Sequence, residues 1–144
     1  MENNVNVKNC VSAIIMNKNG EVLVQDHVKL DAITLPGGKI DPNEKTEFAF
    51  IREMFEELGI LPFRYKKVMT ADCGMLEYPA HSNEYFKFTQ TYFIITEYKG
   101  NIENKEPEKH KALLWLKPSE LASENRKTSK SIKIFLENIE KFSL

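Results

Sequence analysis

The chain has 144 residues, enough for one domain with a sizeable core and too few for two well-formed ones. It is 42% hydrophobic and 28% charged, and 20 basic against 21 acidic residues leave a formal charge of −1. Those values exclude a disordered chain, a collagen-like fibre and a disulfide scaffold, and they argue against a dedicated nucleic-acid binder, which carries a basic excess.

The longest apolar runs, such as Val11 to Met16, are too short to span a bilayer, and the first residues show no signal-peptide pattern. A cytoplasmic location with no membrane partner is expected. Cys10 and Cys73 lie far apart and match no CxxC pattern, so free thiols are expected rather than a zinc site with His81 or His110.

Val11 to Met16 and Glu21 to Gln25 are short, aliphatic and separated by Asn17-Lys-Asn-Gly20, which predicts a β-hairpin. Ile33-Thr-Leu35 predicts a short strand that Pro36-Gly37-Gly38 stops. The spacing then turns helical from Thr46 to Leu58, where Ile51, Met54 and Leu58 recur at three- and four-residue steps with Phe48 and Phe55 beside them. Thr46 is the expected N-cap and Gly59 the expected terminator. Tyr85 to Tyr98, rich in aromatic and β-branched residues, predicts the longest strand. Asn101 to Lys111 reads as a loop, Leu113 to Leu116 as a strand and Pro118 to Leu121 as a short helix. Ser129 to Lys141 reads as a helix with Ile132, Phe135, Leu136 and Ile139 on one face. Strands around a central helix with a helix at the end predict a mixed α/β or α+β class.

The chemistry is concentrated between Gly38 and Ile60. On a helix, Glu53 and Glu57 are four apart and Glu53 and Glu56 three apart, so their side chains converge. Like charges at that spacing repel, and Arg52, four before Glu56, offsets only part of the repulsion. One or more divalent cations are the simplest compensation, because carboxylate oxygen suits Mg²⁺ and Mn²⁺. Leu35-Pro36-Gly37-Gly38 can bring backbone groups close to such a site, since glycine carries no Cβ. A hard cation on carboxylates beside a glycine turn suits phosphate chemistry.

This segment resembles the signature of the Nudix hydrolase superfamily, G-x5-E-x7-R-E-U-x-E-E-x-G-U, where U is bulky and aliphatic. Gly38, Glu44, Arg52, Glu53, Met54, Glu56, Glu57, Gly59 and Ile60 fill every specified position. Chance alone would match them on the order of once in 10⁹ starting points at average composition. The resemblance implies an α/β/α sandwich around a mixed sheet, with the signature forming a loop–helix–loop. It also implies that Glu53, Glu56 and Glu57 bind Mg²⁺ (or Mn²⁺ in its place) together with a backbone carbonyl of Gly38 or Gly37. Glu53 would orient or deprotonate the attacking water, Arg52 would fix the glutamates, and Glu44 would support the loop by pairing with Arg52. The resemblance leaves the base open: Glu53 serves in some members and a glutamate outside the signature in others, for which Glu97, Glu106 and Glu108 are candidates.

The implied reaction is hydrolysis of a pyrophosphate bond in a nucleoside diphosphate linked to another moiety. Asn104-Lys-Glu106-Pro107-Glu108-Lys109-His110, with Trp115 and Leu121 beyond it, looks like the N-x-E-P-x-K-C…W…L stretch of small members acting on nucleoside triphosphates. His110 stands where those have cysteine, and Ala112-Leu113 replaces a Gly-Trp pair. A small-molecule nucleotide is thus the expected partner, with ADP-ribose, a dinucleotide or a nucleotide cap as alternative substrates. A non-catalytic nucleotide sensor is a further alternative, and the intact glutamates count against it. A homodimer stays open. Tyr85, Phe86, Phe88 and Trp115 are candidates for stacking on a base, though strand aromatics are more often core. The loop Gly74 to Glu84, with Met75, Tyr78, Pro79 and His81, is the expected seat of specificity.

Overall fold

In the computed structural model, residues 6–77 and 85–144 are described. Seven strands lie among the described residues: β1 (Asn6–Ile15), β2 (Val22–His27), β3 (Ala32–Thr34), β4 (Gly37–Lys39), β5 (Leu61–Glu77), β6 (Tyr85–Lys99) and β7 (His110–Leu116). Helix α1 (Thr46–Leu58) lies between β4 and β5, while α2 (Pro118–Ala122), α3 (Lys130–Glu137) and a 3-10 turn (Ile139–Phe142) close the chain. A four-stranded sheet runs β4-β1-β6-β5 and a three-stranded sheet runs β3-β2-β7. The β1–β6 pairing is parallel and the other named pairings are antiparallel, so the larger sheet is mixed.

The period-2 alternation of β1 separates two cores. Val11, Ala13 and Ile15, with Phe93 and Ile95 of β6 and Leu23 of β2, pack under Ala49, Phe50, Met54 and Leu58 of α1. Ile14, Tyr92, Val22, Val24 and Ile33 face the other way, onto Leu121, Ile132, Phe135 and Phe142. Helices therefore cover both faces of the strand layer, the α/β/α arrangement expected from the resemblance. Phe50, fully buried and stacked on Phe93 at 4.2 Å between ring centroids, anchors α1 to β6. A fully buried side chain of this kind contributes about 1.5–3 kcal/mol.

Several expectations need correction. The predicted hairpin reduces to one bridge, Met16 to Val22, because β1 and β2 diverge into different sheets. The Asn17–Gly20 turn itself forms, with Asn17 Oδ1 accepting the N–H groups of Asn19 and Glu21. The longest strand is β5, with 17 residues, and not β6, with 15. Lys45, not Thr46, occupies the N-cap of α1, and Thr46 begins the helix. Phe48 and Phe55 are exposed at 61% and 57%, so Phe50 fills the place in the core that they were expected to flank. Gly59 does end α1, at φ 71°. The predicted C-terminal helix is shorter, breaking at Asn138 before the 3-10 turn.

Pro36 marks a change of sheet. Upstream, β3 pairs with β2; downstream, β4 pairs antiparallel with β1, Ser12 opposite Gly37 and Val11 opposite Gly38. The Pro36 carbonyl accepts the Ala13 N–H at 2.8 Å. The expected glycine turn is thus a short strand laid against the sheet, facing α1.

Candidate active site

Two glycines allow that strand to sit where it does. A Cβ on Gly37 would lie 1.9 Å from the Val11 carbonyl oxygen, and Gly37 adopts φ +154°. A Cβ on Gly38 would lie 2.5 Å from the Glu53 carboxylate. Only glycine lets β4 approach β1 on one side and α1 on the other.

Arg52 organises the outer half of the site. Its Nε and Nη2 donate to the two Glu44 oxygens at 2.8 and 2.9 Å, a bidentate pair. Nη2 also donates to the Lys39 carbonyl at 3.0 Å, and Nη1 donates to Glu53 at 3.0 Å and Glu56 at 3.2 Å. The Arg52 hydrogen bonds hold the Glu44 carboxyl down at about 2. For Glu53 burial outweighs the Arg52 charge, so its carboxyl sits above the ordinary range.

Glu57 faces inward. It is 4% exposed and accepts the Gly37 N–H at 2.8 Å through Oε2. Burial, followed by the nearby Glu53 charge, pushes its carboxyl well above the ordinary range. No lysine or arginine among the described residues pairs with it. Instead Glu57, Glu106 and His110 each offer a ligand atom within 4.8 Å of the others. The Gln25 side chain, 1% exposed, lies beside this carboxyl and acts to lower it, although its Nε2 completes no hydrogen bond.

Glu106 reaches Glu57 because its loop terminates α1. The last carbonyls of a helix lack intrahelical partners. Here the Lys105 N–H donates to the Glu57 carbonyl at 2.9 Å and the Glu103 N–H to the Leu58 carbonyl at 3.0 Å. The Lys109 and His110 N–H groups then fold back onto the Glu106 carbonyl at 2.9 and 3.0 Å. Glu106 also pairs with Lys109 at 3.0 Å.

The residues singled out from the sequence thus divide. Glu53 and Glu56 are held toward Arg52, Glu56 half-exposed, while Glu57 turns to Glu106 and His110. The tight cluster includes one helix glutamate, not all three. Glu97 pairs with Arg64 at 2.7 Å on β6, and Glu108 is exposed. Trp115 packs against the α1-side core. The expected loop from Gly74 begins later than predicted, since Gly74 to Glu77 belong to β5 and pair with β6; the side chains of Met75, Tyr85 and Phe86, and all of Tyr78, Pro79 and His81, lie outside the described residues. Cys10 and Cys73 are free thiols, and burial raises both, Cys10 to about 11. Sequence reasoning weighed His110 only as a zinc ligand and set it aside; the structure brings it beside Glu57 and Glu106, and its signal was the departure from cysteine within the Glu106-Pro107 stretch.

The family model for the NUDIX domain matches residues 7–137. The chain belongs to that family. The Nudix chain is 33% identical over 105 residues to the 8-oxo-dGTP diphosphatase of Buchnera aphidicola subsp. Schizaphis graminum, covering 68% of this chain and 70% of that protein. It is 34% identical over 70 residues to the 8-oxo-dGTP diphosphatase of Proteus vulgaris, and there it spans about half the relative, 55% of its length. The crystal structure of a MutT NUDIX hydrolase from Burkholderia pseudomallei superposes with a TM-score of 0.74 at 26% identity, covering 92% of this chain and 98% of that one. Among the described residues, no helix of this Nudix domain is long and apolar enough to cross a membrane.

Proposed function

We propose that the chain is a Mg²⁺-dependent hydrolase of a pyrophosphate bond in a nucleotide, with a nucleoside triphosphate giving monophosphate and pyrophosphate as the preferred reaction. The observation that carries this is the buried Glu57 carboxylate, fixed by the Gly37 N–H and facing Glu106, with no lysine or arginine among the described residues paired to it. Buried carboxylates in such a setting are paired or hold a metal, and this oxygen-rich set fits a divalent cation. Glu57 and Glu106 would hold it, with Glu53, Glu56 and the Gly37 or Gly38 carbonyl as the remaining oxygens on that side. When bound, the cation would neutralise phosphate charge and acidify water beside the reacting phosphorus.

This chain's own residues supply the rest. Glu53, raised by burial and oriented by Arg52, receives the proton of the attacking water. Arg52 keeps that carboxylate aimed while its bidentate hold on Glu44 fixes the loop before α1. Water oxygen bonds to phosphorus, the bridging bond breaks, and pyrophosphate leaves. The relatives named 8-oxo-dGTP diphosphatase support a triphosphate with a purine, oxidised or not. A cytoplasmic setting fits such a substrate.

The test is product analysis by ion-exchange chromatography over nucleoside triphosphates, 8-oxo-dGTP, ADP-ribose, dinucleotides and capped nucleotides, with Mg²⁺ and with excess chelator. Triphosphates should be cleaved fastest, to monophosphate and pyrophosphate, and only with metal. Faster cleavage of ADP-ribose or a cap would overturn the substrate assignment, and full activity in chelator would overturn the metal.

A further inference from the structure

His110 is 2% exposed, yet among the described residues its ring makes no hydrogen bond. Nδ1 is buried without a partner, and Nε2 stands 3.7 Å from Glu57 Oε1, beyond hydrogen-bond range. A buried imidazole ordinarily satisfies its donor and its acceptor nitrogen, and here neither completes a hydrogen bond within the described residues. Its backbone is firmly placed. The N–H donates to the Glu106 carbonyl at 3.0 Å, and the carbonyl accepts Asn104 Nδ2 at 2.7 Å. The His27 ring meets it edge-on at 5.3 Å between centroids. The imidazole is held 3.7 Å from the Glu57 carboxylate, and its ligand atom lies within 4.8 Å of that of Glu106.

The spacing suits a shared ion. Ligands about 2.1 Å from an octahedral cation lie about 3.0 Å apart when adjacent and about 4.2 Å apart when opposite. The 3.7 Å between Glu57 Oε1 and His110 Nε2 lies between those two separations, and the three ligand atoms lie within 4.8 Å of one another, so side-chain shifts of under about 1 Å would seat them on one ion. We propose that the His110 imidazole is a nitrogen donor to a divalent transition-metal ion held together with Glu57 and Glu106, so that this chain offers a mixed nitrogen–oxygen site where an all-oxygen one was expected. This rests on the metal-dependent reading above and extends it to the choice of ion. An imidazole nitrogen adds affinity for first-row transition ions, Mn²⁺ the least of them, and little for Mg²⁺, which keeps to oxygen. Mn²⁺ should therefore bind more tightly than Mg²⁺, and the margin should depend on His110.

Electron spin-echo spectroscopy of Mn²⁺ added to the metal-free protein reads coordinated nitrogen directly. The wild type should show ¹⁴N modulation from imidazole, His27→Gln should keep it, and His110→Gln should lose it. Equilibrium binding should show Mn²⁺ at least about tenfold weaker in His110→Gln, as expected for a lost metal contact, with Mg²⁺ affinity little changed. Mn²⁺ bound to the wild type without nitrogen modulation would overturn the inference and leave the proposed function standing. Absence of Mn²⁺ binding would overturn both. Retained modulation in a folded His110→Gln, or in His110→Asn should that variant fold better, would assign the nitrogen to another histidine and also overturn it. The wild-type spectrum requires no variant to fold.

Discussion

The Gly37 N–H and the Glu57 Oε2, 20 positions apart in sequence, meet at 2.8 Å and lock β4 to α1 across the candidate site. Glutamine at position 57 can still accept that bond while removing the buried charge. Glu57→Gln should therefore fold with metal-free thermal stability equal to or above the wild type, and should lose at least about two orders of magnitude in turnover as a missing metal ligand. Steady-state kinetics beside calorimetry would check it. Near-normal turnover would remove Glu57 from the metal.

The two glycines of β4 should fail differently. Gly37→Ala drives a Cβ into the Val11 carbonyl, backbone against backbone, and should cost about 3 kcal/mol or more. Gly38→Ala meets only the Glu53 carboxylate, a side chain that can swing away. It should melt close to the wild type and lose turnover, because Glu53 leaves its Arg52-held position. Equal melting losses in both variants, by denaturant titration, would contradict the distinction.

Stability should respond to pH with opposite signs at the two ends of the site. Glu44 is held below its ordinary value, at about 2, so its contribution is fully present above about 4.5 and is lost as pH falls toward 2. Glu44→Gln should flatten the acid limb of the melting curve. Glu53 and Glu57 are raised, so the metal-free protein should lose stability as pH climbs from the ordinary carboxylate range through their raised values. Mg²⁺ should recover that loss, and its stabilising effect should be larger at pH 8 than at pH 5. Melting scans with metal and with chelator would decide it.

Glu106→Gln should lower turnover at least tenfold, on the order expected for loss of a metal contact, while shifting stability by no more than about 0.5 kcal/mol. The loop is fixed by backbone bonds to Glu57 and Leu58 that this substitution leaves intact. An unaffected rate would return Glu106 to a solvent role with Lys109.

What could be read in advance follows from how local each feature is. α1 and its charged face repeat within a few residues, so the helix, its Gly59 terminus and the grouping of Arg52 with the glutamates were legible. β5 was not, because bulges near Pro62, Arg64, Val68 and Cys73 break its alternation and Arg64, Lys66 and Lys67 dilute its apolar face. The hairpin failed at Met16, where the chain leaves one sheet for another, a choice made by tertiary packing. The meeting of Glu57 with Glu106 and His110 depends on bonds spanning some 50 residues, which no spacing rule encodes. Resemblance alone brought Glu106 into view.

The bonds that carry the 101–109 loop to the end of α1 belong to the backbone: Lys105 and Glu103 lend their amides, whatever their side chains. Positions 106 and 110 are thus a socket whose fittings can be exchanged. A carboxylate, thiol or imidazole placed there inherits the same address, so the group presented beside Glu57 can be exchanged by single substitutions while the architecture that delivers it is left alone.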